Sequence, residues 1–349
     1  MNEMSKEVIF TGLRANNSLH LGNYLGALLP MVDMTTKRAG AYEVNVMVAD
    51  LHSFTTPIDH SQLHAQILQN LKTYAAAGLP LDNDDIRIFR QSYVPAHSEL
   101  TWILDCFTGV GEMGRMTQFK DKSKKLNEDR ISVGLFNYPV LMACDYLLYG
   151  AQYVPVGDDQ TQHLEFGRDI AERMNNQFGE ELLVAPKAVK QQHEFFGKDQ
   201  GLRVRDLVDP AKKMSKSDET GKGVIFLDDV PEVAAKKVMS ATTDSVGQIN
   251  FDWDNQTGVA NLLQMLSLLS GRDQAHINAE WTGKTSYGEL KAAVAEQVKI
   301  FLTAFQAAYS AVDESKLLTK LEADEVAMNE VANKTLLRVQ RAVGLRPRK

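Results

Sequence analysis

The alternation of short β-branched runs with helical patterns is the feature that most constrains how this chain can fold. The β-branched runs are VIFTG near the start, VNVMVAD at 44–50, IRIFRQS at 86–92 and YVPVG at 153–157. The segment 61–80 carries apolar residues at helical spacing, with Ser61 placed to cap its start and Gly78 and Pro80 placed to end it. Strands that alternate with helices predict a Rossmann-like α/β fold, in which helices cover both faces of a parallel sheet.

The β-branched runs fade after about residue 210, and amphipathic helical patterns replace them. These patterns are VANLLQMLSLLSG at 259–271, YGELKAAVAEQVKIFLTAFQAAYSAV at 287–312 and VAMNEVANKTLLRVQRAVGL at 326–345. We therefore predict a Rossmann-like catalytic domain over 1–208 and a mainly α-helical domain over 209–349, with a hinge at Asp209 and Pro210.

Polar residues follow the predicted strands, which is where parallel α/β sheets bind their ligands. They are Asp50, His52, Gln91, Ser92 and the segment 156–160. The turn after the first strand, LRANNSLHLGNY at 13–24, contains neither a Walker loop nor G-x-G-x-x-G. The letters GVGEMG at 109–114 match the latter, but they follow a helical pattern rather than a strand. We interpret them as a chance match or as glycines used for close packing.

Composition and charge exclude several classes of protein. The chain carries a net charge of −7, and no window approaches the long apolar run of a membrane helix. Its N-terminus has the features of neither a signal peptide nor a transit peptide. Cys106 and Cys144 lie in apolar segments without a Cys-x-x-Cys motif, which argues against a disulfide scaffold or a zinc site. These features predict a cytoplasmic protein without a membrane partner. Basic stretches such as 113–130 and 334–349 are typical of solvated surfaces, so we expect no DNA partner either.

A second segment with recognisable chemistry is DPAKKMSKSDETGKG at 209–223. Lys213 and Lys216 alternate there with Ser215 and Ser217, and glycines follow. Such a composition suits a loop that brings ammonium groups and hydroxyls to phosphate oxygens. A basic surface loop without a ligand is the alternative interpretation of this segment taken alone.

Together, these two segments resemble a known class of enzymes. HLGN at 20–23 resembles the HIGH signature of the class I aminoacyl-tRNA synthetases, and KMSKS at 213–217 matches their second signature letter for letter. The resemblance implies that both segments hold ATP, the first through the amides and the dipole of a helix N-terminus. It also implies that Gly22 lets the adenosine approach closely and that phosphate-contacting residues perform the catalysis. These catalytic residues are His20, Asn23, Lys213 and Lys216.

The middle of the chain resembles the tryptophanyl-tRNA synthetases of the bacterial type. The matching stretches are MTQFKDKS at 116–123, GLFNYPVLMACDYLLY at 134–149, VPVGDDQTQHLEF at 154–166 and LVDPAKKMSKSD at 207–218. In that family the methionine and the aspartate of the YP-x-L-M-x-x-D motif line the indole pocket, and they correspond to Met142 and Asp145. Indole offers one N–H donor and no acceptor, so a carboxylate in an apolar slot suits it, and a thioether packs well on its ring.

The same resemblance implies the remaining binding residues. For the tryptophan pocket they are Phe10, His52, Tyr138, Val154, Val156 and Gln160. For ATP they are Arg14, Ala15, Asn16, Gly22, Asn23, Gly157, Asp158, Asp159, Val204, Lys213, Met214, Ser215, Lys216 and Ser217. Core packing is the alternative for the apolar members, and a structural buried histidine is the alternative for His52. Arg14 stands where the family usually has glutamine, which adds a cation beside the expected ATP site.

The resemblance implies a two-step reaction. Tryptophan is activated with ATP to tryptophanyl-adenylate and pyrophosphate, and is then transferred to the terminal adenosine of tRNA-Trp. ATP and Mg²⁺ are the expected cofactors, with Mg²⁺ carried by the ATP phosphates and no metal site formed by the protein itself. The helical domain would read the anticodon, and 113–150 would connect the substrate pocket to the contact of a homodimer.

Other functions stay open at this point. A tyrosyl-tRNA synthetase shares the fold and both signatures in looser form, although Met142 and Asp145 favour tryptophan. A paralogue could bind tryptophan as a sensor without charging tRNA, but the catalytic residues of both signatures argue against it. A small-molecule adenylating enzyme of the same superfamily would have no need of the helical half.

Overall fold

The sheet lies in the N-terminal part of the chain. The computed structural model describes residues 6–15, 18–55, 57–124, 131–157, 160–197, 204–215 and 221–348. Within these residues the parallel sheet has the order β1 (Val8–Arg14), β2 (Glu43–Ala49) and β3 (Ile86–Arg90). The central strand β2 is buried along five consecutive residues, as a strand covered on both faces should be. The predicted α/β fold with a parallel sheet is confirmed.

The run at 153–157, predicted as a strand, forms only a bridge beside β1. Tyr153 N donates to the carbonyl of Val8 at 3.1 Å, and Phe10 N donates to the carbonyl of Tyr153 at 2.8 Å. The amide of Val154 donates to the side-chain Oε1 of Gln192 at 3.0 Å. The next amide that could bond β1 would be that of residue 155, which is a proline without an N–H, so the ladder stops after one residue.

Helices follow each strand and make up most of the remaining chain. They are α1 (Leu21–Asn23), which continues through a π-helical turn (Tyr24–Leu28) into α2 (Leu29–Arg38), then α3 (Leu63–Ala76), α4 (Ala96–Asp105), α5 (Val110–Met113), α6 (Thr117–Ser123), α7 (Val133–Leu147), α8 (Thr161–Phe178), α9 (Val189–Phe196), α10 (Pro231–Met239), α11 (Thr257–Ser270), α12 (Gln274–Trp281), α13 (Tyr287–Ser310) and α14 (Glu314–Ala342). In the parts of the chain that are described, no helix is both long and apolar enough to cross a bilayer.

Local signals predicted the helices better than their caps. The helix expected between 61 and 80 is α3, and Gly78 adopts a φ of +99° just beyond its end. The predicted Ser61 cap is wrong, because α3 begins at Leu63 and the Ser61 hydroxyl bonds Asp59 instead. GVGEMG at 109–114 follows the helix α4 and encloses the short helix α5. The motif therefore does not follow a strand and does not form a dinucleotide loop.

The long C-terminal helix α14 covers the free edge of β3. Asp324 Oδ2 accepts the amide of Ile88 at 2.8 Å, and Glu325 binds the guanidinium of Arg90 through two bonds of 2.6 and 2.8 Å. Edge strands expose unpaired amides, and these carboxylates satisfy two of them, since Glu325 also accepts Arg90 N at 3.2 Å. The helical half therefore returns to the sheet, and the domain boundary at 208 stays a prediction.

Candidate active site

His20 caps the helix that follows β1. Its Nδ1 accepts the amide of Asn23 at 3.2 Å, while Asn23 Oδ1 accepts the amide of His20 at 3.3 Å. This reciprocal cap satisfies amides that a helix N-terminus otherwise leaves open, and it holds both side chains in one orientation. Because Nδ1 accepts, a neutral His20 ring carries its proton on Nε2.

The HLGN turn packs directly against Met214 of the KMSKS segment. A Cβ added to Gly22 would lie 3.1 Å from His20 Nδ1 and 3.3 Å from Met214 Cβ. Met214 is buried in the same apolar cluster as Leu21, and its amide donates to the carbonyl of Val204 at 2.9 Å. Glycine at position 22 thus permits a close approach between two segments that are far apart in the sequence.

The chain that follows the KMSKS segment also crosses the first turn. Leu21 N donates to the carbonyl of Ile225 at 2.8 Å, and Leu227 N donates to the carbonyl of Leu19 at 3.1 Å. Lys213, the first residue of the segment, forms an antiparallel bridge with Arg205, and it is exposed. Both sides of residues 216–220 are therefore anchored beside the N-terminus of α1.

The other residues predicted for ATP are placed as follows. Ala15 is buried just after β1, which Arg14 ends, and Val204 is buried beside Met214. Ser215 is half-buried, and the exposed Gly157 accepts the amide of Gln160 at 2.8 Å. Outside the described residues lie Asn16, Asp158, Asp159, Lys216 and Ser217. The roles of all of these residues in ATP binding remain predictions.

Asp145 on α7 is 2% exposed and lies at the centre of a hydrogen-bonded network. Its Oδ1 accepts Gln91 Nε2 at 2.6 Å and contacts His97 Nδ1 at 2.9 Å. Its Oδ2 contacts His52 Nε2 at 2.8 Å. Burial raises the pKa of Asp145, but the charge and hydrogen bond of His52 and the hydrogen bond from His97 outweigh it, so the pKa is lowered. The carboxylate is therefore ionised at neutral pH.

The residues predicted for the tryptophan pocket surround this carboxylate. The rings of His52 and Tyr138 meet edge to face at 6.2 Å, and Tyr138 Oη contacts His163 Nε2 at 2.9 Å. Phe10 is buried in β1, and Met142 lies half-buried on α7, three residues before Asp145. Val154 is buried, Val156 is half-buried, and the half-buried Gln160 directly precedes α8. The structure thus gathers Phe10, His52, Tyr138, Met142 and Asp145 around β1 and α7, while their contacts with tryptophan stay predictions.

Sequence reasoning missed His97, which bonds Asp145, and Tyr149, which bonds His97, and it identified Gln91 only in part. Gln91 was recognised as a polar residue after a strand, but it was given no role in the pocket. His97 and Tyr149 carried no usable signal, because each sits in an apolar helical segment where a core role is the default interpretation. Their partnership appears only once α4 and α7 pack together.

The part of the chain that the structure describes contains no group of three or more histidine, cysteine, aspartate or glutamate side chains that could hold a metal ion.

Comparisons with known proteins agree with these motifs. Residues 3–303 match the family "tRNA synthetases class I (W and Y)". The chain is 40% identical over 343 residues to a tryptophan–tRNA ligase of Malacoplasma penetrans, an alignment that covers 97% of this chain and 98% of the relative. A tryptophanyl-tRNA synthetase structure from Mycoplasma pneumoniae has a TM-score of 0.82 at 33% identity and covers 98% of this chain and 99% of that one. The tryptophanyl-tRNA synthetase from Campylobacter jejuni, solved with ADP and tryptophan, has a TM-score of 0.76 at 28% identity. The match covers 97% of this chain and 99% of that one.

Proposed function

The chain belongs to the class I tRNA synthetases for tryptophan and tyrosine, and from this premise we propose that it is a tryptophan–tRNA ligase. It activates L-tryptophan with ATP and transfers the aminoacyl group to tRNA-Trp. The observation that carries the proposal is the packing of Gly22 against Met214, a contact between one residue of each signature at the start of α1. The buried, ionised Asp145 supports tryptophan as the amino acid, since it can accept an indole N–H.

In the first step the tryptophan carboxylate attacks the α-phosphorus of ATP in line. A bond forms from that oxygen to phosphorus, while the bond to the oxygen bridging the α- and β-phosphorus atoms breaks, and pyrophosphate leaves with the electron pair. The carboxylate is already ionised at neutral pH, so no general base is needed. Positioning and charge stabilisation supply the catalysis, as is usual for phosphoryl chemistry.

We assign the charge stabilisation to the two signatures. The positive end of the α1 dipole, together with His20 and Asn23, binds phosphate oxygens. Lys213 and Lys216 neutralise the charge that develops on the leaving pyrophosphate. A Mg²⁺ ion held by the ATP phosphates would add positive charge there.

In the second step a ribose hydroxyl of the terminal tRNA adenosine attacks the carbonyl carbon of the adenylate, forms an ester bond and gives up its proton, while AMP leaves with the electron pair of the broken C–O bond. The class resemblance implies the 2′-hydroxyl. The helical part over 209–349 reads the anticodon, whose unpaired bases offer edges and faces to side chains. Function in the cytoplasm, where tRNA is charged, is part of the same proposal.

The decisive experiment is ATP–pyrophosphate exchange with tryptophan and tyrosine in parallel, followed by charging of purified tRNA-Trp. We expect exchange that depends on tryptophan and ATP-dependent formation of aminoacyl-tRNA. Exchange that prefers tyrosine would assign the chain to the tyrosine branch of the family. Tryptophan binding without any exchange would instead support the sensor alternative.

We further propose that the chain acts as a homodimer through one exposed apolar face. Trp102 on α4 is 71% exposed, and Val110 at the start of α5 and Val133 at the start of α7 are 76% and 81% exposed. Both α4 and α5 pack against α7, so the three side chains belong to neighbouring elements. Exposed large apolar groups grouped in this way are typical of a protein interface.

Trp102→Arg is expected to convert the dimer into a monomer, because it replaces the largest of these three exposed apolar side chains with a charged one. Sedimentation velocity at micromolar concentration measures the change. Val246→Arg is the matched control, since Val246 is 58% exposed in the helical part, away from this face. A Trp102→Arg protein that sediments as the wild type does would contradict this choice of face.

A further inference from the structure

We propose that His97 and Tyr149 are positioning residues that orient Asp145 and thereby set the specificity for an amino acid with an indole N–H. Neither residue belongs to the set that the sequence predicts to contact tryptophan. The inference rests on the proposed function, because it concerns how the same pocket recognises its amino acid. It is carried by a buried chain of hydrogen bonds from Tyr149 through His97 to Asp145.

The first step in the inference is the direction of these hydrogen bonds. His97 is fully buried, with Nδ1 2.9 Å from Asp145 Oδ1 and Nε2 2.8 Å from Tyr149 Oη. An ionised carboxylate only accepts, so Nδ1 must carry the proton. In the neutral ring Nε2 then accepts, and the Tyr149 hydroxyl donates to it. Burial raises the pKa of Tyr149, which keeps this hydroxyl protonated.

The second step is a count of acceptor positions on Asp145. Each carboxylate oxygen can accept about two hydrogen bonds. Gln91 and His97 both bond to Oδ1 and fill it, while among the described residues Oδ2 is bonded to His52 alone. One acceptor position therefore remains on Oδ2, on the side where His52 meets Tyr138. That side belongs to the predicted pocket, and it is where an indole N–H would arrive.

The third step is the rigidity of the other side of Asp145. Tyr149 stacks on Phe10 at 5.9 Å and meets Phe89 edge to face at 5.2 Å. Gln91 is held as well, because its Oε1 accepts the amide of Leu51 at 3.1 Å, which directs its NH₂ group at Asp145. The carboxylate thus cannot turn without breaking bonds that are fixed by packing. A site built in this way discriminates strongly against a ligand that lacks the matching donor.

The test compares tryptophan with its benzothiophene analogue, in which sulfur replaces the indole N–H. The readout is kcat/KM for ATP–pyrophosphate exchange with each compound, expressed as a ratio. His97→Leu removes the donor to Asp145 and is expected to lower this ratio about tenfold, chiefly through the KM for tryptophan. His97→Asn, whose amide can replace Nδ1–H, is expected to restore most of the ratio. Tyr149→Phe is expected to lower it about threefold, since it removes only the hydroxyl that orients His97.

Thr101→Val is the matched control. Thr101 is buried on α4 one turn beyond His97 and donates to the His97 carbonyl, so its loss perturbs the same helix while the side-chain bonds that join Tyr149, His97 and Asp145 stay in place. We expect the ratio to be unchanged in this variant.

If His97→Leu lowers kcat/KM equally for both compounds, the role of His97 is structural and the inference is wrong. If His97→Leu does not fold, Tyr149→Phe decides, because it loses a single oxygen atom, and an unchanged ratio in that variant overturns the inference. Tryptophan-dependent exchange by the wild type tests the proposed function separately from this ratio.

Discussion

Asp145→Asn is expected to lower kcat/KM for tryptophan in ATP–pyrophosphate exchange by about 100-fold, although the two side chains have the same shape. The reason is the orientation that the network imposes. Gln91 and His97 both donate at the Oδ1 position, so the amide oxygen of the new side chain takes that place. Its NH₂ group then occupies the Oδ2 position, where the indole N–H needs an acceptor. Two donors meet, and the hydrogen bond is replaced by a repulsion.

Asp105→Asn is the matched control for this prediction. Asp105 ends α4, is half-buried and accepts a 2.8 Å hydrogen bond from Asn137. In the described part of the chain Asp105 does not contact the Asp145 network. We therefore expect the kcat/KM of the Asp105→Asn enzyme to stay near the wild-type value. Circular dichroism and thermal unfolding would establish that both variants fold. An Asp145→Asn enzyme with wild-type kcat/KM would mean that the indole N–H is bound elsewhere.

Glu325→Ala is expected to lower the free energy of unfolding by about 3–5 kcal/mol. Glu325 on α14 and Arg90 at the end of β3 are each 5% exposed, and two bonds of 2.6 and 2.8 Å join them. The variant leaves the guanidinium of Arg90 buried without its counter-charge, and the amide of Arg90 also loses its acceptor. Urea denaturation followed by circular dichroism measures the change.

A surface ion pair on the same helix provides the control. Lys316 binds Asp82 at 2.6 Å, a distance equal to the shorter bond of the buried pair, but both side chains are exposed. Lys316→Ala is expected to cost less than about 1 kcal/mol, because solvent screens exposed charges. Equal losses in the two variants would contradict our account. The double variant Arg90→Met with Glu325→Leu is expected to recover part of the loss, since it leaves no buried charge unpaired.

The two predictions concern neighbouring positions of one strand end. Arg90 is tied to α14 by Glu325, and the next residue, Gln91, holds Oδ1 of Asp145. The C-terminal helix therefore supports the segment that orients the pocket carboxylate. The helix α14 belongs to the helical half in sequence, and these bonds hold it against the sheet.

Local sequence patterns predicted the elements and the two signatures. The strands β1, β2 and β3 follow from short β-branched runs, and the helix α3 follows from apolar residues at helical spacing. HLGN and KMSKS can be recognised from the sequence, because each signature is a short contiguous motif. The run at 153–157 failed as a strand because Pro155, which has no N–H, stands where the ladder with β1 next needs a donor. Ser61 failed as a cap because Asp59, two residues away, binds it first.

The sequence by itself determined the fold class, the family and the identity of the carboxylate in the predicted pocket, because each depends on short contiguous patterns. Only the tertiary structure decided which groups surround that carboxylate. Its partners Gln91, His97 and His52 lie 54, 48 and 93 residues away, and the β3 edge is closed by carboxylates 236 and 235 residues distant. A buried charge must find donors wherever packing brings them, and no local pattern records that choice.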